Sequence, residues 1–211
     1  MRFAVHIPKP PFSGSYEELP PVAAKLCDAA KRLLARQGIK AATVKGVTEE
    51  AGEYSASVDY YFGGKRGLIA AVAESVCPVD ACIDAVEACE QLPPGEERIA
   101  RQTNALREMA ADGEAFRAFF ELFPHILRDE ELRRRLDVLY EWYRDLDVMM
   151  FGISREADDP DVRAAASVVV AAVDGLAFQA CLKQGAFDLD RPFAVLGRML
   201  TLFLEDVTKN G

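Results

Sequence analysis

From Pro21 to Val207 the apolar residues return every three or four positions, and nowhere do they alternate with polar ones for long enough to make a strand. Over residues 21–37, Leu26, Ala30, Leu33 and Leu34 share one helical face, and Gly38 supplies a C-terminal stop. Thr43 is placed to cap a short second helix whose apolar side is Val44, Val47 and Ala51 and whose end is Gly52. A third short helix follows and turns Val58 and Phe62 inward. Gly63-Gly64 breaks it, and Lys65 opens a longer helix that reaches into the eighties. Helix, short helix, tight turn, short helix is the layout of a helix-turn-helix.

The remainder is longer and more apolar. Pro93 and Pro94 suit the start of a helix over about 94–111, which Asp112-Gly113 cuts. AFRAFFELFPHILRD is helical in pattern, with Pro124 expected to kink or divide it. From Glu130 to Met150 the apolar positions 132, 136, 139, 143, 146 and 150 recur at heptad spacing and mark a long helix with a packed seam. SREADDPD is a polar break before two further helices, 160–183 and 190–207. The expected fold class is all-α with about nine helices. Residues 1–20 form an irregular N-terminal arm, 21–75 a helix-turn-helix domain, and 76–211 a larger helical domain.

Half of the 211 residues are hydrophobic, enough for a sizeable core, and the formal net charge is -9. That average conceals an asymmetry. Residues 21–75 carry eight basic groups against six acids, whereas residues 76–211 carry fifteen against twenty-six, so only the first part suits a phosphate surface. The five cysteines include no CxxC pair, which fits small buried residues in a reduced, cytoplasmic protein. Cys82 and Cys89, two turns apart on one helix, cannot reach each other. The first 20 residues hold four prolines and no uninterrupted apolar stretch, unlike a secretory signal, and no later run of about 18 residues is free of charge and Gly.

Residues 26–72 resemble the DNA-binding domain of the TetR family of transcriptional regulators. The resemblance is carried by Asp28-Ala29-Ala30, by Gly38, by Thr43-Val44, by Glu49-x-Ala51-Gly52 and above all by Tyr61-Phe62-x-x-Lys65. It implies a third helix that enters the major groove of double-stranded DNA, where short side chains such as Ser55, Ala56 and Ser57 admit the backbone close to base edges. Tyr60 and Tyr61 are expected to reach the flanking backbone with their hydroxyls while their rings pack on the domain, with Phe62 in the core. Tyr61 is equally well read as a packing residue, and Tyr54 is among the DNA-binding candidates. Lys65, at a helix start, is expected on a phosphate, and Thr43 and Lys45 complete the DNA-binding set. The chain departs from the family pattern at Glu53-Tyr54, where a small pair is frequent, so that Ser55 becomes a candidate cap. It departs also at Gly46, in place of a frequent acid, and at Asp59, an acid that repels phosphate but can accept from a cytosine amino group.

The resemblance further implies that the acidic part binds a small-molecule effector and forms a homodimer through its last two helices, packed as a four-helix bundle. Ala171 and Gly175 allow close approach there, and Leu176, Leu196, Leu200 and Phe203 supply buried area. Asp174, inside the apolar run, has two readings, a pocket residue or a seam residue bonded to a cap or an Arg; it is grouped with the interface. For the pocket the candidates are Phe119, Phe123, His125, Trp142, Tyr143, Met150 and Phe178, although aromatic stripes are more often core. Net negative charge favours a neutral or cationic effector. With two histidines, no GxSxG, no HExxH and no grouped metal ligands, no enzyme, metal site or cofactor is expected. The function read is a homodimeric repressor on a palindromic operator, released by its effector. The other reading is a ligand-binding or protein-interaction module that has lost sequence-specific DNA binding.

Overall fold

A computed structural model describes residues 19–75, 78–152, 159–183 and 186–210. The arm 1–20 lies almost wholly outside them, as does Cys77. The chain is all-α, with ten helices among the described residues: α1 Pro21–Gln37, α2 Val44–Ala51, α3 Ser55–Phe62, α4 Lys65–Ser75, α5 Val79–Glu90, α6 Glu96–Ala110, α7 Gly113–Ile126, α8 Glu130–Phe151, α9 Pro160–Leu182 and α10 Asp190–Asn210. The tenth arises because the helix expected from Lys65 into the eighties is two. Pro78 has no N–H to continue a helix and stands as the N-cap residue of α5.

Local chemistry sets most boundaries. The Thr43 hydroxyl accepts from Gly46 N–H at 3.0 Å and caps α2, while Asp112, Asp129 and Asp159 cap α7, α8 and α9 in the same way. Pro124 does not divide α7; it sits in the last turn, where the helix ends two residues later and few backbone bonds remain to lose. The far end of α8 is closed by a buried cation. Arg98 donates to the carbonyls of Met149 and Met150, both at 2.6 Å, and to that of Leu92 at 2.9 Å, satisfying acceptors a helix C-terminus leaves unpaired.

Three apolar cores hold the helices together. Leu26, Leu34, Val47, Val58, Leu68 and Val72 fill the head formed by α1–α4, and this core continues without a break into Ala118, Phe119, Leu122 and Ile126 of α7 and Leu132 of α8. A second core joins α6, α9 and α10 through Ile99, Leu106, Val162, Val169, Phe193, Leu196 and Leu200. A third packs α5 against α8 through Cys82, Val86, Cys89, Leu139, Trp142 and Leu146. The helix-turn-helix therefore sits on the same packed foundation as the body.

Candidate DNA-binding face and effector cavity

In the head, α2 and α3 are joined by a turn at Gly52, and α3 presents its short side chains outward: Ser55 and Ala56 are exposed and Ser57 is half-buried, while Val58 beneath them is fully buried. Ser55 does not cap the helix. The N-cap residue is Tyr54, which makes no side-chain cap bond, so its ring is left to solvent. The aromatic cluster divides into two pairs. Tyr54 and Tyr60 are 85% and 82% exposed, the largest such rings in the head, whereas Tyr61 and Phe62 pack on the core. Tyr60 stands edge-on to Tyr61 with ring centroids 4.8 Å apart, so the inner ring steadies the outer one. Lys45, Asp59 and Lys65 are exposed, and Thr43 is exposed with its hydroxyl committed to the cap.

Close backbone approach fixes two glycines here. A Cβ on Gly67 would lie 1.7 Å from the Phe62 carbonyl oxygen, so α4 can start against the end of α3 only with Gly at that place. Gly46, where an acid is frequent in the family, has the same cause: a Cβ would lie 2.6 Å from the Ala41 carbonyl. Two acids that would weaken a phosphate surface are engaged. Glu53 bonds Lys25 at 3.2 Å, and Glu50 takes Arg32 at 3.1 Å and Arg36 at 2.7 Å, the Arg32 bond chiefly holding its carboxyl below the usual range.

The head is tied to the body by polar contacts as well. Arg66, at the start of α4, grips Asp129 with two bonds of 2.8 and 2.9 Å, and the same carboxylate caps α8. The Ile39 N–H donates to Glu121 of α7 at 3.1 Å, and Arg135 of α8 pairs with Glu74 of α4.

Within the body a cavity of about 810 Å³ opens between α5, α6, α7, α8 and α9, with Lys31 of α1 and Ser75 of α4 at its edge. Of the expected pocket residues, Phe119, Tyr143 and Met150 line it. The others do not. Trp142 is buried in the α5–α8 core and does not line the cavity. Phe123 packs against Phe119 with centroids 5.0 Å apart, His125 is exposed near the end of α7, and Phe178 lies half in solvent, edge-on to Phe120. Sequence reasoning missed Asp147, which is 3% exposed and lines the cavity while accepting from Gln102 Nε2 at 2.8 Å. Burial pushes this carboxyl up to about 8 and the Gln102 bond only partly offsets it. Its signal was present: positions 140, 143, 147 and 150 share one face of α8 and mix tyrosine with acid.

The expected interface residues also divide. Ala171 and Gly175 are exposed, but Leu196 and Leu200 are buried against the second core, and Leu176 and Phe203 are half-buried on it. On α10 the outward apolar residues are instead Val195, Met199 and Leu202, each one position before an expected residue. Asp174 turns toward α8 and the cavity, where it accepts from the Tyr140 hydroxyl at 2.5 Å, and burial raises its carboxyl above the usual range.

A helix-turn-helix head with an exposed third helix, set on a helical body that encloses a ligand-sized cavity, defines a transcriptional regulator with a ligand-binding C-terminal domain. Residues 26–72 match the family described as bacterial regulatory proteins, tetR family, and residues 94–206 match the tetracyclin repressor-like C-terminal domain. The chain belongs to the TetR family. It is 27% identical over 171 residues to the HTH-type transcriptional regulator BetI of Rhizobium meliloti (strain 1021), covering 81% of this chain and 83% of that protein. Similar solved structures include the fatty acid degradation regulator FadR from Bacillus halodurans, with TM-score 0.69 and 19% identity over 87% of this chain and 96% of that one. The transcriptional regulator FadR from Bacillus subtilis in complex with stearoyl-CoA has TM-score 0.66 and 17% identity over 84% and 96%.

Proposed function

We propose that this protein is a homodimeric repressor that binds a palindromic operator through α3 and leaves it when a small molecule fills the cavity. The observation that carries the DNA-binding part is the outward face of α3, short at its N-terminal end, flanked by two exposed tyrosines and rigidly backed by Val58 and Phe62. An α-helix so tipped can approach base edges, and Lys65 at the N-terminus of α4 brings an ammonium together with unpaired backbone N–H groups for a phosphate. The engagement of Glu53 by Lys25 removes one of the acids that favoured a module without DNA binding, and Asp59 remains as a specificity residue.

Support for a second copy comes from α9, of whose most apolar stretch only 22% is buried within the chain. Val168, Phe178 and Leu182 on α9 and Val195, Met199 and Leu202 on α10 are exposed together with Ala171 and Gly175. A two-fold pairing of these faces would carry two α3 helices to successive major grooves, about 34–36 Å apart.

The switch follows from shared elements. The cavity is walled by α7 and α8, and the same helices hold the head through Glu121, Asp129 and Arg135. A ligand that binds more tightly to one arrangement of α7 and α8 shifts the head with them, and it acts only through that difference in affinity.

The test is retention of the DNA upstream of the protein's own coding region in a mobility assay at rising salt. Specific retention that falls steeply with salt is expected. Lys65→Ala should weaken binding to all sequences alike, whereas Ser57 or Asp59 substitutions should change which sequence is preferred. Equal, weak retention of unrelated DNA by the unaltered protein would leave the reading as a module without operator specificity.

A further inference from the structure

The wall that α8 gives the cavity carries Tyr140, Tyr143, Asp147 and Met150, spaced three or four residues apart and so stacked on one face. Across from it α9 contributes Asp174, and α7 adds Phe116 and Phe119. Two carboxyl groups thus stand inside an aromatic enclosure. Gln102 is the sole partner of Asp147 among the described residues, bonded to Oδ1 alone, so that Oδ2 of this buried side chain keeps no donor there. Asp174 accepts from the Tyr140 hydroxyl and has no cation among the described residues. At the mouth Asp84, Glu108 and Asp112 are exposed beside Arg101, and Lys31, the other base of the lining, is bridged to Asp28 at 3.2 Å. Five carboxyl groups therefore line the cavity against two bases.

We propose that the effector is an organic cation, an ammonium or similar onium group on an apolar body, with its charge set against Asp147 and Asp174 and its body among Phe116, Phe119, Tyr140 and Tyr143. This rests on the reading of the cavity as the effector site. A cation over tyrosine and phenylalanine faces is attracted by the ring quadrupole, most strongly where water is excluded. The same cation supplies the counter-charge that a desolvated carboxylate lacks, converting a group that burial keeps protonated into one half of an ion pair. An anion would meet five carboxyl groups, and a neutral body of equal shape would leave Asp147 and Asp174 desolvated with nothing gained. The mouth adds a field of the matching sign, which draws cations toward the opening. The volume, about 810 Å³, admits a drug-sized molecule.

The experiment is calorimetric titration of the full chain near neutral pH with probes matched in shape: 4-phenylbutyltrimethylammonium, its neutral carbon isostere ending in a tert-butyl group, and 5-phenylpentanoate, with tetraphenylphosphonium and rhodamine 6G as larger cations. At least one cation is expected to bind tenfold or more tightly than the neutral isostere. Asp147→Asn or Asp174→Asn should reduce that affinity about tenfold and leave the isostere unaffected. Cooperative melting of each variant confirms that it folds, and if Asp147→Asn does not melt cooperatively, Asp174→Asn carries the test. Binding of the neutral or anionic probe as tightly as the cations, cation affinity indifferent to both substitutions, or no binding by any probe would overturn the assignment. Should a cation bind with the expected dependence on the aspartates yet leave the operator complex undisturbed, the cation site stands and the effector reading is what fails.

Discussion

Asp147 is a carboxyl group held in its protonated form by the fold. Its value near 8 in the folded chain, against 3.8 ordinarily, means that between these limits the folded protein keeps a proton the unfolded chain has released. The stabilisation of the neutral form is therefore complete below about pH 4 and is lost as pH rises toward 8, by at most about 1.4 kcal/mol per pH unit. Asp147→Asn has no proton to keep. Measured by urea unfolding at pH 5, 6.5 and 8, the variant should gain on the unaltered protein at each step upward; a constant difference would show that Asp147 is ionised in the folded state. That Asp147 escaped notice in the sequence has a physical cause. The heptad positions 143, 146 and 150 fix a buried stripe along α8 but not its width, and position 147 lies at its margin, where solvent and cavity look alike in one dimension. The same ambiguity separates Trp142 from Tyr143: neighbours on a helix point about 100° apart, and only the packing of α5 against α8 decides which ring meets the cavity. Thr43, Gly52 and Val58 were legible because what they do depends on residues a turn away.

Elements whose ends are set locally were legible in the same sense, and those set by contacts distant in sequence were not. The caps of α2 and α8 and the end of α1 can be read from short stretches, whereas the split between α4 and α5 depends on how Pro78 is used, and the outward register of α10 depends on α6 beneath it. The junction of α3 and α4 combines both. Gly67 is the contact that lets α4 begin against Phe62, so Gly67→Ala forces the two helices apart. Overpacking of this kind costs about 1–3 kcal/mol. A lowered melting temperature should be accompanied by weaker operator retention, because α3 and Lys65 lose their mutual position; loss of stability with full retention would mean that the junction does not set the DNA-binding geometry. Arg66 makes a different prediction. Its pair with Asp129 is exposed to solvent and screened, so Arg66→Ala should leave melting nearly unchanged. What it should alter is communication, since this bond joins α4 to the cap of α8. The effector should still bind the variant while its affinity for free and DNA-bound protein becomes more nearly equal, a comparison that titration with and without operator makes directly.

At the scale of the whole molecule the body is negative by eleven charges and the head positive by two, so the head alone is a weak electrostatic partner for DNA, and the proposed pairing would double that contact. The faces that would pair are apolar and built differently on the two helices. On α9 the residues 168, 171, 175, 178 and 182 follow one another by three and four, with Ala171 and Gly175 small enough for backbones to approach, whereas on α10 Val195, Met199 and Leu202 stand out from a helix otherwise seated on α6. Leu202 is 67% exposed in the single chain, so a charge there disturbs no packing within the protomer. Leu202→Arg should therefore melt as a cooperative, folded protein, yet sediment as a monomer at concentrations where the unaltered chain is expected to sediment as the proposed dimer, because two guanidinium groups would be brought together across a two-fold axis without a counter-charge. Operator retention should fall with the dimer, while single half-site binding at low salt should persist, since α3 and Lys65 are unaltered. A variant that remains dimeric would place the interface elsewhere on the body, and one that is monomeric but holds the full operator as before would remove the need for two heads.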